Sequence, residues 1–75
     1  MYHTITFVTD RWVDLETSPR HPLERVLLRA GTRLPVQLRP HVIEAPEGPI
    51  EAADLYFEDG SVTRSVPFSC FTLND

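Results

Sequence analysis

The C-terminal third of the chain reads IEAADLYFEDGSVTRSVPFSCFTL from residue 50 to residue 73, and this stretch decides the fold class. Two β-rich runs, 50–57 and 62–73, flank the tetrapeptide Glu-Asp-Gly-Ser. An Asp-Gly pair between alternating apolar runs is typical of a β-hairpin, because glycine accepts the positive φ that a tight turn demands. Pro67 interrupts the second run, which predicts a bulge or an edge position there. The stretch therefore predicts an antiparallel hairpin.

The end of this stretch carries large apolar residues in two alternation phases. Phe68 and Cys70 fall on one face of an extended chain, whereas Phe71 and Leu73 require the other phase. Such a pattern indicates burial on both faces, or a strand whose second face meets a partner.

Further strands are predicted upstream. Residues 2–9 place His3, Ile5 and Phe7 on one face, and residues 12–15 continue as a second short strand or an irregular extension. Residues 33–39 alternate cleanly, with Leu34, Val36 and Leu38 facing inward. Pro35 in this segment predicts an edge strand, because proline cannot donate to a neighbour.

One helix is predicted over residues 23–30. Leu23, Val26, Leu27 and Ala30 follow the i, i+3, i+4, i+7 spacing of a single helical stripe. Gly31 stands where a left-handed C-terminal cap belongs. The turn-rich residues 17–22 would lead into this helix.

Together these elements predict a single domain over residues 1–75 of the α+β class, dominated by strands. We expect a small, mostly antiparallel sheet of four or five strands that packs on one short helix or partly closes as a barrel. The length of 75 residues and the 41% hydrophobic and 24% charged content fit one small globular domain.

The chain shows no apolar run long enough for a membrane span and no apolar stretch typical of a secretory signal. Its single cysteine, Cys70, excludes an internal disulfide framework and a cysteine-based zinc cluster. These observations predict a cytoplasmic protein that does not associate with a membrane and binds no metal or cofactor.

The charge of the chain is divided between two segments. All seven basic residues are arginine, and six of them lie between residues 11 and 39. Residues 44–59 hold six acids and no base. A nucleic-acid-associated module is the alternative function, and it would use an arginine face made of Arg20, Arg25, Arg29 and Arg33. The net charge of −4 weighs against that alternative.

Candidate catalytic groups are scattered. His3, His21 and His41 lack the close spacing of metal ligands, and Ser65 and Ser69 lie outside any nucleophile-elbow motif. We therefore expect a protein that is not an enzyme. A small metal- or ligand-binding enzyme, with a site around the histidines and acids, is the third hypothesis.

The function expected first is that of a small non-catalytic interaction domain that self-associates, for example as a homodimer, or docks on a protein partner. Tryptophan is enriched among binding hot spots, and an edge strand or an uncovered apolar face invites a partner. The interface candidates on these grounds are Trp12, Pro35, Phe68 and Phe71.

Overall fold

A computed structural model describes residues 1–17 and 23–74 of the chain. Strands and turns account for this part of the chain, together with one 3-10 turn, η1, over Phe68–Cys70. The strands are β1 His3–Phe7, β2 Arg11–Leu15, β3 Glu24–Leu28, β4 Arg33–Ala45, β5 Gly48–Phe57, β6 Val62–Pro67 and β7 Phe71–Leu73.

The strands form a five-stranded antiparallel sheet of order β6-β5-β4-β1-β7 and a separate β2–β3 hairpin. The strand-dominated antiparallel prediction is confirmed. The described strands do not close into a barrel, because β6 and β7 stand at opposite edges of the sheet. A single backbone bridge between Glu16 and Val62 links the hairpin to the edge of the sheet.

The predicted helix over residues 23–30 is wrong. This segment contains β3, which pairs with β2 so that Trp12 lies opposite Leu27 and Val13 opposite Val26. The backbone of this segment is satisfied by pairing with β2, and this pairing overrides the helical spacing of its apolar residues. Gly31 has a positive φ of 91°, but it occupies a turn between two strands rather than the predicted helix cap.

The core is formed by the strands of the five-stranded sheet, and Leu28 of the β2–β3 hairpin packs against it. Ile5, Phe7, Val36, Leu55 and Val66 are its largest fully buried side chains. They come from four neighbouring strands, and the hairpin contributes to the same layer. The inward alternation predicted for residues 3–7 and 34–38 is thus borne out.

Strand β4 is central in the sheet, and the edge position predicted from Pro35 is wrong. The two neighbours of β4 are offset: β1 pairs with it from Arg33 to Val36, and β5 pairs with it from Val36 to Ala45. Pro35 therefore has a partner strand on one side only, and so does Pro40. Proline has no backbone N–H. It is tolerated at such places because no strand on the unpaired side accepts a hydrogen bond from it.

The predicted C-terminal hairpin is confirmed. Strands β5 and β6 pair in antiparallel register across a turn in which Gly60 has a φ of 89°. Strand β6, which ends at Pro67, is an edge strand and contains a register shift. The edge position, one of the two alternatives predicted from Pro67, is present, whereas the register shift lies at Arg64 and Ser65 rather than at Pro67.

The 3-10 turn explains the two apolar phases at the end of the chain. It resets the alternation, so that Phe68 and Phe71 both pack toward the same core, with ring centroids 5.3 Å apart. Phe71 is only 5% exposed, which removes it from the interface candidates. A change of phase in a sequence can thus come from one tight turn rather than from burial on both faces.

Candidate functional site

A cluster of polar side chains lies on the outer face of strands β4, β5 and β6. The carboxylate of Asp54 is its centre, with His41 Nε2 3.1 Å away and the backbone N–H of Ser65 donating at 2.9 Å. Arg64 reaches the same carboxylate at 3.5 Å and donates to Glu16 at 2.7 Å. The network joins the sheet to the residue that follows β2.

A β-bulge puts these groups together. Ala53 pairs with Val66 and Leu55 with Thr63, so that Arg64 and Ser65 both lie opposite Asp54. Ser65 has a φ of 58°, the left-handed conformation that side chains other than glycine rarely adopt. The bulge leaves the N–H of Ser65 outside the regular ladder, and the Asp54 carboxylate accepts it.

The pKa of Asp54 is set by opposing effects. Burial of the side chain, which is 14% exposed, disfavours the charged form and would raise the pKa. The Ser65 N–H, the His41 hydrogen bond and the nearby positive charges together outweigh burial and hold the pKa below its ordinary 3.8. Asp54 is thus ionised in the folded protein at neutral pH.

The geometry of Ser65, His41 and Asp54 differs from that of a catalytic relay. The Ser65 hydroxyl lies 3.4 Å from His41 Nε2, which is the same nitrogen that meets Asp54. In a serine–histidine–acid relay the serine and the acid bind opposite ring nitrogens, so that one takes the serine proton while the other is held by the acid. A single nitrogen cannot serve both roles at once. The arrangement fits a structural network that holds the bulge.

Within residues 1–17 and 23–74, no three His, Cys, Asp or Glu side chains come close enough together to hold a metal ion. His21 lies outside these ranges. The same part of the chain contains no helix whose length and apolar content would allow it to cross a membrane.

The second feature of note is Trp12. It is 62% exposed on β2, whereas its neighbour Val13 is 5% exposed on the opposite face of the strand. Trp12 and Leu23, itself 58% exposed, line a groove between the hairpin and β6. We call this the Trp12 groove, and Glu16 and Arg64 also line it.

The remaining interface candidates lie apart from this groove. Pro35 is half-buried in an apolar cleft shared with Leu34 and Phe57. Phe68 is half-buried and lines a shallow depression beside the β4–β5 turn.

The helix on which the arginine face was predicted is not present in the described part of the chain, because residues 24–28 form a strand. On a strand, residues four apart stand about 13 Å apart along the chain, so Arg25 and Arg29 are not adjacent. Arg25 also makes an ion pair with Asp14 at 3.3 Å, and Arg29 and Arg33 are exposed at the following turn. Arg20 lies outside the described residues.

Sequence reasoning missed the Asp54 network, although a signal for part of it was available. A hairpin centred on Asp59-Gly60 places Asp54 opposite Ser65 by simple counting of residues across the turn. The contribution of His41 depends on the pairing of β4 with β5, and the contribution of Glu16 depends on the bridge to Val62.

Comparisons with protein-family models, with curated proteins and with solved structures find no match for this chain.

Proposed function

We propose that this chain is a non-catalytic protein-interaction domain that docks on a partner protein through the Trp12 groove. The observation that carries the proposal is the 62% exposure of Trp12. A tryptophan side chain that stays largely in water does not gain the free energy of burial. Binding to a partner protein would bury the side chain and supply that free energy.

The register of the hairpin supports an outward role for this tryptophan. Trp12 and Val13 point to opposite faces, so a slip of one residue would bury Trp12 and expose Val13. The β2–β3 hairpin instead buries Val13, the smaller residue, and exposes Trp12, the larger one. Leu27 lies opposite Trp12 on the same outer face and extends the apolar patch.

The surroundings of Trp12 have the anatomy of a binding hot spot. Trp12 and Leu23 contribute apolar side chains to the groove, and Arg64 and Glu16, which form an ion pair, line it as well. Interfaces commonly join an apolar centre that carries most of the binding energy to a polar rim that excludes water. The expected occupant is an apolar side chain of the partner protein.

A non-catalytic role and a cytoplasmic location belong to this proposal. The single nitrogen shared by Ser65 and Asp54 supports the first point. A half-buried free thiol at Cys70 supports the second, since free thiols persist in a reducing compartment.

The test compares wild-type protein with Trp12→Ala in affinity capture from nuclease-treated native lysate at low salt. Leu73→Ala is the matched control, because Leu73 is 52% exposed on another strand. We expect a stoichiometric partner that wild type and Leu73→Ala retain and Trp12→Ala loses. With the purified partner, loss of Trp12 should cost about 2 kcal/mol, or roughly 30-fold in affinity.

The stability of Trp12→Ala should change by about 1 kcal/mol or less, because the side chain is largely exposed. Equal capture by all three proteins would refute the role of Trp12. Loss of every captured protein on nuclease treatment would favour the nucleic-acid alternative instead. Light scattering of the isolated chain distinguishes docking on a foreign partner from self-association.

A further inference from the structure

The β4–β5 hairpin extends beyond the rest of the sheet. Strand β1 pairs with β4 only as far as Val36, and β6 pairs with β5 only from Ala52 onward. Residues 42–51, which we call the hairpin arm, therefore pair with each other and with no other described strand. A two-stranded hairpin without further partners is marginal in water.

The apolar face of the sheet continues onto the hairpin arm without a cover. Val36 is fully buried, but Val42, six residues further along β4 and on the same face, is 54% exposed. Phe68 of the 3-10 turn and Val42 line the same shallow depression, which Glu51 also borders. This depression is an unpartnered continuation of the core-forming face.

The charged residues of the hairpin arm all carry negative charge, and one of them, Glu51, lines the depression. Glu44, Glu47 and Glu51 are exposed, and residues 42–51 contain no basic residue. Glu51 is directly opposite Val42 in the β4–β5 register, so its carboxylate lies on the same face as the exposed valine. Any segment that covers Val42 must approach these carboxylates.

We propose that the hairpin arm binds an extended, basic segment of a partner protein. A bulky apolar side chain of the segment covers Val42 and Phe68, and flanking arginine or lysine side chains face Glu44 and Glu51. Beyond Pro40, which has no N–H to donate, the edge of β4 over residues 41–45 also offers main-chain groups to an added strand. Opposite charge on the partner gives the contact its orientation and a fast association rate.

A second copy of the chain is a poorer occupant than a foreign basic segment. The exposed Arg33 begins β4 at the end remote from the hairpin arm. That end also carries the acids Glu58 and Asp59, which border the cleft next to Leu34. The chain therefore presents there a mixture of charges rather than a basic surface.

The experiment uses the full chain and a labelled peptide in which arginine alternates with valine, followed by fluorescence anisotropy at low and high salt. A peptide of alternating glutamate and valine serves as the negative probe. We expect saturable binding of the basic peptide that weakens with salt, and amide shifts in NMR spectra confined to residues 42–51 and the 3-10 turn.

Matched variants separate a defined site from general attraction to an acidic protein. The double variant Glu44→Gln/Glu51→Gln removes two charges from the hairpin arm, and Glu24→Gln/Glu58→Gln removes two exposed charges elsewhere. We expect about a tenfold loss of affinity for the first and less than about a threefold loss for the second. Val42→Ala, which leaves the charge unchanged, should also weaken binding.

Equal losses in the two double variants, or no binding of the basic peptide, would overturn the proposal. Dimerisation of the isolated chain that disappears in Glu44→Gln/Glu51→Gln would overturn the choice of a foreign segment in favour of a second copy. Because the hairpin arm and the Trp12 groove involve different residues, Trp12→Ala should leave peptide binding intact. Failure of one proposal is thereby distinguishable from failure of the other.

Discussion

At the scale of single residues, Asp54 holds the β-bulge of β6 in place. Its carboxylate accepts the Ser65 N–H at 2.9 Å and contacts His41 at 3.1 Å, and thereby satisfies a backbone group that the bulge removes from the ladder. The left-handed conformation of Ser65 persists because this contact helps to hold it.

We expect Asp54→Asn to destabilise the fold by about 1–3 kcal/mol at neutral pH, because the amide keeps the shape but loses the charge that its donors meet. Chemical denaturation measures the difference. Glu44→Gln is the control, since it removes an exposed carboxylate of the neighbouring strand and should change stability by about 0.5 kcal/mol or less. Equal stability of Asp54→Asn and wild type would contradict the assigned role.

The same residue predicts a pH dependence. The folded state lowers the pKa of Asp54 below its ordinary 3.8, so its ionised form stabilises the fold above that pH, and this stabilisation is lost as the pH falls through the folded-state pKa. Asp59, whose pKa the Ser61 hydroxyl and N–H lower, acts in the same direction. The melting temperature of Asp54→Asn should therefore fall less steeply than that of wild type as the pH is lowered. It should still fall, because Asp59 contributes to the pH dependence in both proteins.

At the scale of elements, β3 shows where sequence patterns mislead. The spacing of Leu23, Val26 and Leu27 suits a helical stripe, but these residues lie in or beside a strand that β2 completes. Pairing with residues ten or more positions away is invisible to a local window. The Asp-Gly hairpin was predictable because its two strands and its turn are contiguous in sequence.

Hydrogen exchange distinguishes a strand from a helix at residues 24–28. In an antiparallel pair only every second residue points its N–H at the neighbouring strand, and β3 has β2 as its one described partner. We expect amide protection to alternate along this segment. Continuous protection over four or more successive amides would instead indicate the helix.

Strand β4 shows a second limit of reading elements from sequence. Proline was a sound indicator of a missing neighbour, because Pro35 and Pro40 each have a partner strand on one side only. The position of the strand in the sheet was still wrong, since a strand of 13 residues can have different neighbours along its length. Local chemistry predicts whether a backbone group is paired but not the order of strands.

At the scale of the whole molecule, the core depends on the pairing of the two ends of the chain. Strand β7 lies beside β1, with Phe71 opposite Phe7 and their ring centroids 6.0 Å apart. The residues predicted to face inward on β1 and β4 were correct. Their convergence with Phe71 was not predictable, because it depends on a contact between opposite ends of the sequence and on the phase change at the 3-10 turn.

We expect Phe71→Ala to cost about 3–5 kcal/mol, because it empties a buried site that touches both ends of the chain. That loss is comparable with the whole stability of a small domain, so much of the variant should be unfolded at 37 °C. Leu73→Ala on the same strand should change stability by about 1 kcal/mol or less, since Leu73 is 52% exposed. Circular dichroism during heating measures both, and equal melting temperatures would contradict this view of the core.

The pairing of β1 with β7 also determines how the domain would respond to mechanical force. The strands are antiparallel, and the Asn74 N–H donates to the Thr4 carbonyl, so the start of β1 and the end of β7 lie side by side. Tension applied through the two ends would load the hydrogen bonds between these strands one after another rather than all together. This unzipping geometry predicts that the domain opens at low force. Tethered at both ends, it would act as an extensible link.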